Sequence, residues 1–149
     1  MGKTNDSLST TFALLNEIGI INQLNTAQFE SLLPAGLTQP QFSVLNNFVR
    51  LGGERTPAQL ASAFQVTRGA MTNTLQRLQT SGLVDIRPSS SDGRSKVVRI
   101  TAKGRQMRER AIAATRPELA AIVEAFGENE IAQMHQSLQR LREYLDANR

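Results

Sequence analysis

The spacing of the hydrophobic residues changes at Gly82, and this change limits the fold more than any other feature of the chain. Before it, the segment VTRGAMTNTLQRLQTSG places Val66, Met71, Leu75 and Leu78 on one face of a helix. After it, LVDIR alternates apolar and polar residues, and KVVRIT is rich in β-branched residues, as is typical of strands. The sequence therefore predicts a helix that stops at Gly82 and leads directly into a two-stranded hairpin.

Two shorter helices are predicted before this one. Thr38, with Gln41 three residues later, and Thr56, with Gln59 three residues later, both form the capping-box pattern that starts a helix. The first of these helices ends at a Gly-Gly pair, and the second is the short segment PAQLASAF. Together with the helix that ends at Gly82, the short helix predicts a helix-turn-helix.

Apolar residues at helical spacing also predict long helices at both ends of the chain. One covers 8–32, and another begins after a cap at Thr101 and is expected to kink or break at Pro117. A last helix follows Gly127, and its apolar positions are spaced three, four, three and four residues apart, as in a coiled-coil seam.

The predicted fold is mainly α with a small β-hairpin wing, which is a winged helix-turn-helix. Residues 38–101 would form the winged module, and 8–33 and 102–147 would contribute helices outside it, all within one domain of 149 residues. A helix of this width enters the major groove of DNA, and the hairpin then reaches the backbone or the adjacent minor groove.

Charge is concentrated in the same module. The segment 55–110 carries eleven basic and three acidic residues, a net charge of +8, whereas the rest of the chain has a net charge of −4. This distribution is consistent with a surface that faces a polyanion, or with an ordinary solvated basic surface. Charge alone leaves the two interpretations about equal.

The candidate DNA-binding residues lie on the second helix of the pair and on the hairpin. Arginine suits guanine, asparagine and glutamine suit adenine, and hydroxyl groups donate to phosphates. On the helix, opposite the apolar stripe, the candidates are Thr67, Arg68, Gly69, Thr72, Asn73, Gln76 and Arg77. On the hairpin they are Arg87, Ser89, Ser90, Ser91, Asp92, Arg94, Ser95 and Lys96.

Asp92 is the unexpected member of that set, because a carboxylate repels phosphate. Arg94 is long enough to enter a narrow minor groove, and an acid beside it is useful only if it pairs with an arginine and fixes its direction. Gly93 between them permits a tight turn. The nearby serines either donate hydrogen bonds to phosphates or only make the loop long and flexible.

The run LQRLQTSGLVDIRPSSSDGRSKVVRITAKG, residues 75–104, resembles the MarR family of transcriptional regulators. The shared pattern is an Arg-Leu pair, Gly-Leu-Val, the wing motif Asp-x-Arg and then Thr-x-x-Gly. The resemblance implies a homodimer whose two wings straddle a pseudopalindromic operator, with Arg94 in the minor groove and Asp92 as its orienting partner. It also implies that the terminal helices form the dimer interface, for which the candidate residues are Phe12, Leu15, Ile131, Met134, Leu138, Leu141 and Leu145.

The dimer has independent support, since a compact winged module needs neither terminal helix and one half-site contact buries little surface. The alternative is that these apolar faces cover each other within one chain. The resemblance further implies a small aromatic or phenolic anion that weakens DNA binding. The candidate pocket residues are Phe12, Phe42, Leu45 and Phe48, each of which is also a plain core candidate.

The composition argues against other classes of protein. The chain has no cysteine and one histidine, His135. It therefore lacks the residues that nucleophilic triads, cysteine or histidine metal sites and disulfides require. No enzyme activity, metal or cofactor is expected. The N-terminal segment lacks the apolar core of a signal peptide and no run reaches membrane-span length, which predicts a cytoplasmic protein without a membrane partner. The remaining alternatives are a protein-interaction module with a basic face, and a small-molecule-binding protein with vestigial DNA binding.

Overall fold

The computed structural model describes the backbone of residues 2–91 and 93–149 and the side chains from residue 6 onward, except at residue 92. The helices and strands are α1 (Gly2–Leu32), α2 (Gln39–Leu51), α3 (Pro57–Phe64), α4 (Arg68–Thr80), β1 (Val84–Pro88), β2 (Lys96–Ile100), α5 (Ala102–Ala114), α6 (Arg116–Phe126) and α7 (Glu128–Ala147). The predicted class, mainly helical with one hairpin, is confirmed. Among the described residues, no helix is long and apolar enough to cross a membrane.

The chain divides into two compact units, one ending at Ala114 and the other covering Thr115–Arg149. The first holds α1 to α5 and the hairpin. The second holds α6 and α7. Of the kink or break expected at Pro117, the structure shows a break, which lies between Ala114 and Arg116. Pro117 is in the first turn of α6, where a missing N–H costs nothing.

Both predicted capping boxes are present. The Thr38 hydroxyl accepts the N–H of Gln41, and the Gln41 side chain accepts the N–H of Thr38 at 3.1 Å. Thr56 and Gln59 make the same exchange at 3.1 and 2.9 Å. Four N–H groups that would otherwise lack partners at helix starts are thus satisfied, and this fixes the first residues of α2 and α3.

The core of the first unit lies between α2, α3, α4 and the inner face of the hairpin. It consists of Leu37, Val44, Leu45, Phe48, Leu60, Ala61, Met71, Leu75, Leu78, Leu83, Val84, Val98 and Ala111. Each large apolar side chain that is removed from water contributes roughly 1.5–3 kcal/mol. Val66 was expected on the apolar stripe of α4, but it precedes the helix and is exposed, because α4 begins only after its cap at Thr67.

The hairpin pairs antiparallel, with Val84 opposite Ile100 at its base and Pro88 opposite Lys96 at its tip end. A third segment, which the sequence did not predict, joins this sheet at Arg55. The N–H and C=O groups of Arg55 bond those of Val98 at 3.1 and 2.8 Å. The segment between α2 and α3 therefore covers one edge of the wing.

The start of α5 is fastened to the end of α4. Gly82 has φ +73°, which is the expected left-handed stop. The Thr101 hydroxyl donates to the C=O of Gly82 at 2.7 Å and accepts the N–H of Gly104 at 3.0 Å. Lys103 donates to the C=O of Ser81 at 2.8 Å. The Thr-x-x-Gly sequence is thus a joint that caps α5 and holds the end of α4 together.

Candidate nucleic-acid interface

The helix α4 is amphipathic, as predicted, and its outward face is polar. Its cap is Thr67, whose hydroxyl accepts the N–H of Ala70 at 3.1 Å. Met71, Leu75 and Leu78 are buried in the core. Each of the other α4 candidates named from the sequence is exposed: Arg68, Gly69, Thr72, Asn73, Gln76 and Arg77. The Thr67 hydroxyl still has its proton to donate, although its acceptor role is already used.

A cleft lies beside this face. A cavity of about 620 Å³ separates the C-terminal half of α4 from the start of α2. Asn73, Gln76 and Arg77 line it on one side, and Thr38 and Gln41 line it on the other. The remaining lining residues are Gly36, Leu37, Thr80 and Ser81. Amide, hydroxyl and guanidinium groups thus converge on one open groove.

Thr80 and Ser81 were not among the residues predicted from the sequence. Thr80 lies four residues after Gln76 and seven after Asn73, so helical spacing alone places it on the same face. Thr38 and Gln41 carry no such signal, because their position beside α4 depends on how α2 packs. The sequence predicted the capping box of Thr38 and Gln41, but it did not predict that this box lies beside α4.

The wing tip is a serine-rich loop with internal hydrogen bonds. The N–H of Ser89 donates to the C=O of Ser95 at 2.7 Å and closes the loop. The Ser89 and Ser91 hydroxyls are 3.0 Å apart, and the Ser91 N–H donates to the Ser89 hydroxyl. These two serines are therefore partly engaged with each other. Asp92 lies outside the described residues, and Arg94, Ser95 and Lys96 are exposed.

Several basic residues of the +8 segment are held by the protein itself. Arg87 pairs with Asp85 and Arg99 with Glu54, each at 2.5 Å. Arg108 donates twice to Asn46 Oδ1 on α2, at 3.2 and 2.9 Å. Arg68, Arg77 and Lys96 form no ion pair with any residue that the structure describes. The cations available to a polyanion thus include three on α4 and the wing.

Apolar residues remain exposed on α1 although they lie at helical spacing. Phe12 is 74 % exposed, and Leu15 is also exposed. Further exposed residues on the same helix are Leu8, Leu14, Ile20, Ile21 and Leu24. So many exposed apolar side chains on one helix are typical of a helix that packs against another protein surface.

The second unit has the same character. In α7, Met134, Leu138 and Leu145 are exposed, and Ile131 and Leu141 are half-buried. In α6, the exposed apolar residues are Leu119, Ile122, Val123 and Phe126. Neither helix contains a fully buried residue. Two adjoining helices that bury so little need further apolar surface to pack against.

The four residues named for a ligand pocket have different environments. Leu45 and Phe48 are fully buried in the core, at 0 % exposure. Phe42 is half-buried and contacts Phe29 of α1 edge-to-face, with ring centroids 4.7 Å apart. Phe12 lies on the exposed face of α1. In the single chain, two of the four are therefore core residues and one is a surface residue.

Comparisons with known proteins identify the family. A family model described as MarR family matches residues 35–95, from the start of the winged module to the wing tip. An HTH-type transcriptional repressor from Mycobacterium tuberculosis is 34% identical over 110 residues, which are 74% of this chain and 77% of that protein. The multiple antibiotic resistance protein MarR from Salmonella typhimurium is 31% identical over 105 residues, 70% of this chain and 72% of that protein.

Comparisons with solved structures indicate the same family. A mutant MarR from E. coli complexed with operator DNA superposes with a TM-score of 0.71 at 26% identity, covering 89% of this chain and 95% of that chain. The reduced form of E. coli MarR gives a TM-score of 0.73 at 27% identity, covering 86% and 95%. These relatives are transcriptional regulators and not enzymes. The chain therefore belongs to the MarR family of winged helix-turn-helix transcriptional regulators.

Proposed function

We propose that the protein is a homodimeric repressor that binds a pseudopalindromic operator in double-stranded DNA. One observation supports this most directly. The exposed polar face of α4 and the basic hairpin belong to the same compact unit, and Arg68, Arg77 and Lys96 keep their charge unpaired among the described residues. The relative from E. coli was crystallised with operator DNA, which supports operator DNA as the partner.

In this proposal α4 enters the major groove. Asn73 and Gln76 read base edges, while Arg68, Arg77 and Lys96 neutralise phosphates. Within the cleft between α4 and the start of α2, Arg77, Thr80 and Ser81 contact the sugar-phosphate backbone. The wing reaches the adjacent minor groove, with Arg94 as the inserted residue.

Binding to duplex DNA from the protein's own promoter region, titrated with salt, tests this proposal. Three phosphate-neutralising cations per subunit make at least about six per dimer, so log K should fall against log salt with a slope of about −5. Arg68→Gln should flatten the slope by about two, because each dimer loses two cations. Affinity is measured by fluorescence anisotropy between about 50 and 300 mM salt, over which the Debye length falls from about 14 to about 6 Å.

Arg142→Gln is the matched control, because this residue on α7 pairs with Glu143 and is outside the winged module. Its salt slope should equal that of the wild type. A wild-type slope near zero, or equal affinity for promoter and unrelated duplex, would contradict the repressor and favour a protein-interaction module.

The dimer is proposed from the apolar residues exposed on α1, α6 and α7. Leu138→Glu in α7 should convert the dimer to monomer or lower its stability sharply, because the charge would lie in a buried seam. Light scattering coupled to gel filtration measures the mass. Gln136→Glu adds the same charge about half a helical turn away and should leave the dimer intact. A Leu138→Glu protein with the native dimer mass and melting temperature would refute the seam.

A small aromatic or phenolic anion that releases the DNA completes the proposal. It is supported by membership of the family and by the half-buried Phe42–Phe29 pair beside the core. Reciprocity requires that a ligand that weakens DNA binding also binds more weakly in the presence of operator. Calorimetry with a panel of phenolic carboxylates, with and without operator, measures both sides of that coupling.

A further inference from the structure

The spacing Asp-x-Arg occurs twice in the wing, as Asp85-Ile86-Arg87 and as Asp92-Gly93-Arg94. The structure describes the first of them. Side chains two residues apart on a strand point to the same side of a sheet, so Asp85 and Arg87 share the outer face of β1. Arg87 Nε lies 2.5 Å from Asp85 Oδ2. The core-facing neighbour Ile86 packs on the opposite side.

This pair borders a small hollow. A cavity of about 160 Å³ opens on the outer face of the wing, lined at its tip end by Arg87, Pro88 and Ser90 and at its base by Glu54 and Arg99. Within the described residues, the Arg87 Nη groups and the Ser90 hydroxyl make no hydrogen bond. The Arg87 side chain is 72% exposed, so these donors are accessible to a ligand.

We propose that Asp85 is a positioning residue, which holds Arg87 so that its two Nη groups, together with the Ser90 hydroxyl, bind one phosphodiester of duplex DNA. This inference rests on the proposed function. A guanidinium has five N–H donors in a fixed fork, and a carboxylate on Nε leaves the edge formed by the Nη groups for a second oxyanion. Phosphate accepts from such an edge through two parallel hydrogen bonds.

The pair has no net charge, so it adds little to long-range attraction. Its contribution is that a long side chain is already ordered before DNA arrives, which reduces the entropy lost on binding. The two possible roles of Asp85 therefore predict opposite signs. As a mere negative charge near DNA, Asp85 would weaken binding. As a positioning residue, it strengthens binding.

The same face contains a matched control. Glu54 and Arg99 form the other ion pair, with Arg99 opposite Asp85 in the strand register. Arg87 is next to the Pro88–Lys96 rung at the tip end, whereas Asp85 and Arg99 lie two residues back, a distance of about 7 Å along the strand. Glu54→Gln thus removes one carboxylate from the same surface and keeps both residues of the Asp85–Arg87 pair.

The experiment measures affinity at about 150 mM salt for promoter DNA and for an unrelated duplex. Arg87→Gln should weaken both by roughly tenfold, because a phosphate contact has no sequence preference. Asp85→Asn should weaken both by about threefold, and Asp85→Asn added to Arg87→Gln should have no further effect. Glu54→Gln should bind as tightly as the wild type or more tightly.

Arg87→Lys separates geometry from charge. Lysine keeps the positive charge but has no planar edge of two donors, so it should recover less than half of the lost binding energy. An Asp85→Asn protein that binds as tightly as Glu54→Gln would overturn the positioning role. The positioning role would also be overturned if Asp85→Asn weakened DNA binding as much in the Arg87→Gln background as it does in the wild type. Wild-type protein that binds neither duplex would instead overturn the proposed function itself.

Discussion

Replacing Gly104 by alanine is expected to lower the free energy of unfolding by about 3 kcal/mol, near the upper end for an added methyl group in a packed site. A Cβ at this position would lie 2.1 Å from the carbonyl oxygen of Leu83 and 2.8 Å from Cγ1 of Ile100. The nearer atom is backbone, and it already accepts the N–H of Thr101 at 3.1 Å. This carbonyl oxygen cannot move away from an added Cβ without breaking the joint between α4 and α5.

Urea unfolding followed by circular dichroism measures this change. Gly69→Ala is the matched control, since Gly69 also lies near the start of a helix but has no atom within 4 Å of an added Cβ. It should be neutral or slightly stabilising, because alanine is the better helix former by up to about 1 kcal/mol. If Gly104→Ala unfolds at the same urea concentration as Gly69→Ala, the joint is looser than its distances indicate.

The same joint explains why a change there should alter DNA binding as well as stability. Thr101 and Lys103 hold the carbonyl groups of Gly82 and Ser81, which immediately follow α4. On the other side, Arg108 of α5 donates to Asn46 of α2. The start and middle of α5 are thus each tied to the winged module by side-chain hydrogen bonds.

The order of helices and strands could be predicted because its signals are local. The two capping boxes, the left-handed Gly82 and the change from helical to alternating spacing each depend on a few consecutive residues. Their agreement with one another is what made the winged module recognisable. The break before Pro117 follows from the chemistry of one proline.

The interactions that the sequence did not reveal join distant residues. Arg99 meets Glu54 across 45 positions and Arg108 meets Asn46 across 62. The edge strand at Arg55 is a single bridge, too short to show a period of two. The cleft beside α4 likewise needs Thr38 and Gln41 from another helix. Such pairings follow from packing, which no pattern of neighbouring residues encodes.

The candidate site residues show the same contrast between local sequence signals and contacts that depend on packing. Exposure of Asn73, Gln76 and Arg77 followed from helical spacing. The Asp85 partner of Arg87 was not predicted, although an acid two residues away on a strand shares its face. The basic total of +8 was less informative, because charges already paired within the protein attract a polyanion less than their number suggests.

The largest loss of DNA binding is expected from Arg94→Ala, at about a hundredfold or more. Arg94 is exposed on the hairpin beyond the last rung, and a guanidinium in a narrow minor groove meets a strongly negative potential. In the proposed dimer both wings lose this contact together, so the free-energy cost per subunit is doubled and the fold-loss of affinity is squared. One charge-assisted contact contributes roughly 1.5–3 kcal/mol, which gives about 3–6 kcal/mol for two.

Anisotropy titration with promoter DNA measures the loss, and the melting temperature should stay within about two degrees, because an exposed loop side chain contributes little to folding. Arg94→Lys keeps the charge and should recover only part of the affinity, since a compact ammonium group is more strongly hydrated than a guanidinium. Lys96→Ala, two residues along the same hairpin, should cost far less and mainly flatten the salt slope. If Arg94→Ala and Lys96→Ala weaken binding equally, Arg94 acts as one more phosphate cation and the minor-groove role is wrong.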